Sequence, residues 1–142
     1  MTRSTRIAVS SCVALVVILA VIRLQGRSGE PESLSSLCGL ETAPITRLLV
    51  RDGTTGEAHT SANPGTIDEV IDLLASATFT RRSDQAPRAG YQHYVDLFTG
   101  DVRACRITLA GSSATIYGTH YEADRDVNTE LARLLHALEP GD

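Results

Sequence analysis

Three runs of alternating apolar and polar residues occupy positions 91–118, which read YQHYVDLFTGDVRACRITLAGSSATIYG. A period of two indicates strands that bury one face. The tripeptides Thr99–Asp101 and Ala110–Ser112 separate the runs and are rich in turn-forming residues. Because these connections are so short, neighbouring strands must run antiparallel. The stretch therefore predicts an antiparallel meander.

The alternation also predicts which side chains share a face. In the first run, His93, Val95 and Leu97 lie on one face, and Tyr94 and Asp96 lie on the other. In the second run, one face is expected to carry Arg103, Cys105, Ile107 and Leu109, and the opposite face Arg106 and Thr108.

A capped helix is predicted ahead of the meander, over residues 66–77. Thr66 and Glu69 have the spacing of a capping box, in which each side chain bonds the backbone N–H of the other residue. The apolar side chains that follow recur at helical spacing and form one stripe, namely Ile67, Val70, Ile71 and Leu74. Strands are expected on both sides of this helix, over residues 45–51, 57–61 and 78–82.

A second helix is predicted over residues 127–138, after the meander. Its leucines fall on one stripe, and Pro140 with Gly141 ends it. Asp124 or Asp126 can cap its first turn. An antiparallel sheet packed by two helices that each bury one face makes a two-layer α+β domain, which we place at residues 44–139.

The N-terminal segment Ile7–Ile22 contains no charged residue, and arginines flank it on both sides. Such a run favours insertion into a bilayer, as a transmembrane helix. Residues 21–25, directly after the run, offer no small-x-small cleavage site, and the best remaining candidate, Gly26-Arg27-Ser28, is weak. This favours an uncleaved anchor over residues 1–24 with the N terminus in the cytoplasm. A secreted soluble protein, formed by cleavage of a signal peptide, is the alternative. Residues 25–43 are rich in Gly, Ser, Pro and charge, and predict a flexible linker.

The region beyond the anchor is acidic. Residues 30–142 contain nine Arg and all seventeen Asp and Glu of the chain, a net charge of −8. An acidic domain is repelled by phosphate backbones, so we exclude nucleic acid as a partner. No sequence motif calls for a cofactor or a metal.

Two cysteines, Cys38 and Cys105, lie in the region beyond the anchor. An oxidising compartment favours a disulfide between them. The alternative is a pair of buried thiols.

Two groups of residues stand out as site candidates. His93 and His120 lie in strand patterns beside tyrosines, and Tyr121 follows His120, so adjacency of these strands would create a Tyr/His cluster. Arg81, Arg82 and Arg88 form a local basic patch around the polar loop at residues 83–90. Such a patch suits an acidic partner, although an ordinary solvated loop explains the same residues.

The segments ITRLLVRDG (residues 45–53) and IYGTHYEADRDVNTELARLLHAL (residues 116–138), together with the capped helix and the meander, resemble small extracytoplasmic α+β domains of uncharacterised bacterial lipoproteins and membrane-anchored proteins. The resemblance covers residues 44–138 and implies a fold and a location, with no functional residues to carry over. This chain departs from the lipoproteins because Cys12 lies inside the apolar run.

These features together predict a single-pass membrane protein of a bacterial cell envelope. Its extracytoplasmic domain is expected to act as a binding module for envelope proteins, tethered through Ile7–Ile22. The alternative function is an envelope hydrolase or metal-dependent enzyme that uses His93 and His120.

Overall fold

A computed structural model describes residues 29–138 of the chain. Eight strands form one sheet: β1 (Pro31–Ser33), β2 (Arg47–Asp52), β3 (Ala58–Ser61), β4 (Thr78–Arg81), β5 (His93–Thr99), β6 (Val102–Ala110), β7 (Ser113–Ile116) and β8 (Thr119–Ala123). Three helices accompany it: α1 (Leu34–Cys38), α2 (Pro64–Ala75) and α3 (Val127–Leu138).

The sheet has the order β1-β4-β8-β7-β6-β5-β2-β3, and every neighbouring pair is antiparallel. The predicted α+β class, the antiparallel sheet and the meander are confirmed. The predicted anchor Ile7–Ile22 lies outside the described residues. Within residues 29–138, none of the helices combines the length and the apolar composition needed to cross a bilayer.

All three helices pack on one face of the sheet, which we call the inner face. Cys38 of α1 is bonded to Cys105 of β6, Asn128 of α3 bonds His93 of β5, and α2 packs on α1 and α3. The core between these layers is aliphatic except for Phe79, Tyr121 and the bonded pair Cys38 and Cys105. Its fully buried members include Leu34, Val50, Leu74, Val95, Ile107 and Leu131. The opposite face of the sheet, which we call the outer face, has no helix of residues 29–138 over it.

The folded unit begins earlier than the sequence predicts. Part of the expected linker at 25–43 is the edge strand β1, which pairs with β4, followed by α1. Leu34 is fully buried, and the Ser33 side chain accepts a hydrogen bond from Ser36 N at the start of α1. These residues are ordered by a strand and a disulfide partner that are distant in sequence, which local composition does not reveal. The domain therefore contains three helices rather than two.

Helix α2 begins two residues before the predicted start. Asn63 is its N-cap, and Asn63 Oδ1 accepts hydrogen bonds from Gly65 N at 2.8 Å and Thr66 N at 3.4 Å. Pro64 occupies the first turn, where its fixed φ suits the helix and no N–H is required. The predicted capping box at Thr66 is therefore wrong, because Asn63 and Pro64 start the helix.

The meander continues one strand beyond the prediction. Tyr117 and Gly118 have φ angles of 49° and 76°, and this left-handed pair turns β7 back into β8. Two residues with positive φ make the tight hairpin turn that matches strand twist. The last helix, by contrast, lies at its predicted position, and Asp126 caps it by accepting from Thr129 N at 2.9 Å.

Arg103 lies on the outer face rather than on the predicted inner face. The β5–β6 register shifts so that Leu97 pairs with Cys105 while Phe98 pairs with Arg103, which leaves Ala104 as an extra residue. A one-residue bulge moves every side chain beyond it to the other face. Cys105, Ile107 and Leu109 remain inward, as predicted.

The predicted disulfide between Cys38 and Cys105 is present, with the two Cα atoms 5.5 Å apart. It joins α1 to the centre of the sheet across 67 residues of sequence. The start of the domain is thereby fixed to its middle.

Candidate functional site

The outer face presents a row of polar side chains across the centre of the sheet. Tyr94 pairs with Thr108, Thr108 with Thr115, and Thr115 with His120. His120 Nδ1 lies 2.8 Å from Thr115 Oγ1, which fixes the imidazole ring on this face. The row is half-buried along its length, although no helix of the described residues lies on it.

A buried carboxylate holds two arginines beside this row. Asp96 is only 3% exposed, and Arg106 donates to it from Nε at 2.6 Å and from Nη2 at 2.5 Å. Arg103 Nη1 lies 3.8 Å from the same carboxylate. The hydrogen bonds that Arg106 donates to Asp96 raise the pKa of its guanidinium. Since one carboxylate serves two guanidinium groups, a positive charge remains here.

Aromatic rings on the outer face hold the guanidinium groups of Arg47 and Arg106 in place. The Arg47 guanidinium lies 3.9 Å from the centre of the Phe98 ring, and Arg106 lies 4.4 Å from that of Tyr94. Tyr91 packs on Tyr94 with ring centres 5.5 Å apart. Stacking keeps the planar guanidinium groups in defined orientations.

The loop at residues 83–90 forms a wall at one side of the outer face. Gln85 holds it to β8, because its Oε1 accepts from His120 N at 2.8 Å and its Nε2 donates to His120 O at 3.0 Å. Asp84 accepts from Ala86 N and from Arg88 Nη2, and these bonds lower its pKa, the backbone bond most. Arg82 forms an ion pair with Glu122, which in turn accepts from Ser112 Oγ.

Two cavities open on the outer face and share Thr108 and Thr115 as their floor. The upper cavity, of about 210 Å³, lies against the 83–90 loop, and its polar lining includes Arg82, Arg88, Tyr91, Ser113 and His120. The lower cavity, of about 280 Å³, is lined by Arg103, Arg106 and Tyr117. We call the two cavities together the trough.

Four of the six predicted site residues line the upper cavity: Arg82, Arg88, His120 and Tyr121. Arg81 lies at the edge of the inner face, where a separate cavity of about 440 Å³ also contains Glu30, Glu32 and Tyr121. Burial is the main cause that raises the pKa of the Tyr121 phenol; the charge of Glu32 adds to it and Arg81 opposes it.

His93 lies on the inner face, apart from His120. It is 7% exposed, and its Nδ1 lies 2.9 Å from Asn128 Oδ1 of α3. Its Nε2 lies 3.9 Å from Asp52, whose pKa is lowered mainly by the hydrogen bond from Thr54 N. A small cavity of about 80 Å³ next to His93 includes His59 and His136. The expected cluster of His93 with His120 does not form, because the sheet separates the two rings.

Metal binding has no support in the described part of the chain. No group of three or more His, Cys, Asp or Glu within residues 29–138 has the arrangement to hold an ion. The positive charge of the four arginines that line the trough disfavours a cation there.

Sequence reasoning missed the lower half of the trough. The strand alternation does place Arg106 and Thr108 on the same face, and this shared face was the sequence feature that could have indicated the lower cavity. It could not place Arg103, which the bulge turns outward, or Tyr117, which the unpredicted hairpin turn presents.

No family model, curated protein or solved structure matches this chain.

Proposed function

We propose that this protein is a membrane-anchored binding module of a bacterial cell envelope, and that the outer face of its sheet receives an anionic partner protein. The observation that carries this proposal is the segregation of charge. Four outward positions on the strands hold arginine, namely Arg47, Arg51, Arg103 and Arg106, and Arg82 directly follows β4 on the same face. The acidic residues on this face of the sheet are Asp96 and Glu122, and both are paired with arginine.

The helical side has the opposite character. Asp68, Glu69 and Asp72 are exposed on α2, in a region whose net charge is −8 overall. A basic face on an acidic domain favours one orientation of approach, since like charges repel a partner from the wrong side. Aromatic and arginine side chains are also the types enriched where protein partners bind.

Anchoring supports the same role. Only six residues of sequence separate Leu24 from Pro31 at the start of β1. Even fully extended, they reach about 20 Å, so the domain would stay close to the membrane surface. A tethered domain meets other membrane-bound proteins at raised effective concentration, which strengthens weak contacts.

The alternative enzyme lacks a comparable basis, because it needed His93 and His120 in one pocket. The secreted form differs from the anchored one only in whether the Ile7–Ile22 segment is retained. N-terminal sequencing of the exported protein distinguishes them, and carbonate extraction followed by labelling with a membrane-impermeant reagent tests the anchor and its orientation. A full chain that fractionates with the soluble cell interior would contradict the proposal.

Site-specific photo-crosslinking in intact cells tests the binding surface. We expect a photoreactive phenylalanine at Tyr91 or Tyr117 to yield a discrete crosslinked envelope protein. The same residue at Asp68 or Asp72, on the exposed side of α2, serves as the matched control and should yield none. Equal crosslinking from both faces, or from neither, would argue against the outer face as the binding surface.

A further inference from the structure

We infer that the trough binds an extended, acidic segment of a polypeptide, whose carboxylates are received by arginines at its two ends. This inference rests on the proposed function and specifies the occupant of the outer face.

The lining of the trough differs in charge from the cavities of the inner face. Four arginines contribute to the trough, and none of the Asp or Glu in the described part of the chain lines it. The cavity at Arg81 is lined by Glu30 and Glu32, and the cavity at His93 by Asp52 and Glu57. Anions are therefore favoured in the trough and disfavoured in the two cavities across the sheet.

The arginines of the trough retain donors after their internal contacts are made. Arg106 uses Nε and Nη2 for Asp96, and Arg88 uses Nη2 for Asp84. A guanidinium has five N–H donors in a rigid plane, so each group can still receive a carboxylate. Because Asp96 and Tyr94 already orient Arg106, little side-chain entropy remains to be lost on binding.

The shape of the trough fits an extended chain. It follows β6 and β7 from Ala110 and Ser113 at the upper end to Arg103 and Gly118 at the lower end. At about 3.4 Å per residue, the eight residues from Arg103 to Ala110 span roughly 25 Å, which an extended peptide of about seven residues would match. The floor is made of Thr108 and Thr115, whose small side chains leave room for a backbone between the flanking arginines.

Tyr117 places its side chain at the rim of the lower cavity. It is the one residue other than glycine with positive φ in the described part of the chain, and its side chain is 66% exposed. Its hydroxyl donates to Ala104 O, which holds the ring at the rim of the lower cavity. The turn thereby presents an exposed aromatic side chain beside Arg103 and Arg106, and aromatic and arginine side chains are enriched where protein partners bind.

A peptide fits better than a lipid surface. Thr108 and Thr115 are half-buried, whereas Tyr117 at the rim is 66% exposed, so the rim is more accessible than the floor to a planar array of headgroups. A flexible acidic chain can descend to the floor and contact both ends.

Fluorescence anisotropy with the full chain in a neutral detergent tests the inference. The probe is a labelled peptide of seven glutamates, and a peptide of seven lysines is the charge control. We expect the glutamate peptide alone to bind, with affinity that falls as salt is raised. The double variant R88Q/R103Q, which removes one exposed arginine from each end, should weaken binding about tenfold or more, the loss expected for charge-assisted hydrogen bonds. The control R125Q/R133Q removes the same charge elsewhere and should change affinity less than about twofold.

Circular dichroism confirms that each variant is folded. No binding of the glutamate peptide, or equal loss in both double variants, would overturn the inference. Displacement of the peptide by inorganic phosphate, added at the same concentration of negative charge, would also overturn it. So would binding to phosphatidylglycerol vesicles that depends on these arginines and occurs without peptide binding. If outer-face crosslinks form in cells while the glutamate peptide fails to bind, the occupant is wrong and the proposed function stands.

Discussion

Arg106 donates two hydrogen bonds to Asp96 across the β5–β6 pair, and the carboxylate that it holds is buried on a face that no helix of residues 29–138 covers. Half of the Arg106 side chain remains in contact with solvent. The pair therefore stabilises the sheet and also places a positive charge in the trough. The two residues do not contribute equally to the free energy of unfolding.

We expect Asp96→Asn to lower the free energy of unfolding by about 1.5–3 kcal/mol, because the charge-assisted bonds are lost while Arg106 can turn to water. Arg106→Gln should lower it more, by about 3–5 kcal/mol, since it leaves a buried carboxylate whose next cation, Arg103, lies 3.8 Å away. Urea unfolding followed by circular dichroism measures both. Arg51→Gln, at an exposed position of the same face, is the control and should change stability by less than about 0.5 kcal/mol. A larger loss for Asp96→Asn would contradict this account.

The Cys38–Cys105 bond should account for a large part of the stability of the domain. Closing a loop of 67 residues restricts the unfolded chain and is worth about 4 kcal/mol in the chain-entropy model. We expect C38A/C105A to lower the unfolding free energy by about that amount and to become insensitive to reductant. Maleimide labelling of the denatured full chain should modify one cysteine before reduction and three after it. Three labelled cysteines without reduction would show that the bond is absent from the purified protein.

The observed start of α2 predicts a difference between two neighbouring substitutions. Asn63→Ala should cost about 1 kcal/mol, because Gly65 N and Thr66 N lose their acceptor. Thr66→Ala should cost only a few tenths of a kcal/mol, since its hydroxyl is not the cap. Thermal unfolding of the two variants under identical conditions gives the comparison. A larger cost at Thr66 would restore the capping box that the sequence suggested.

The stabilising contribution of Asp126 should be lost in acid. Hydrogen bonds from Thr129, first from its backbone N and then from its hydroxyl, lower the pKa of this carboxyl from its usual value of 3.8. A lowered folded-state pKa means that folding favours the carboxylate, so the contribution is complete above pH 3.8 and is lost as the pH falls through the lowered value. Asp126→Asn should flatten the pH dependence of the melting temperature below about pH 4. An unchanged pH dependence in Asp126→Asn would contradict this account.

Local pattern was sufficient for much of the fold. The alternation over residues 91–118 fixes the meander, because a strand with one buried face must repeat every two residues. The leucine stripe of residues 127–138 fixes α3 for the corresponding helical reason. The same alternation places Arg106 and Thr108 together, and the basic loop supplied Arg82 and Arg88. Each of these features depends on residues that lie only a few positions apart in the chain.

Tertiary structure alone decided the rest. The bulge at Ala104 turned Arg103 outward, and the Tyr117–Gly118 turn brought His120 back beside Thr115 while His93 stayed behind the sheet. Pairing with β4 and the bond to Cys105 made a strand and a helix from residues that read as linker. The trough exists because strands distant in sequence meet in one register with no helix of the described residues above them. Periodicity reports only whether a residue alternates with its neighbours, whereas register and coverage depend on which segments meet across space.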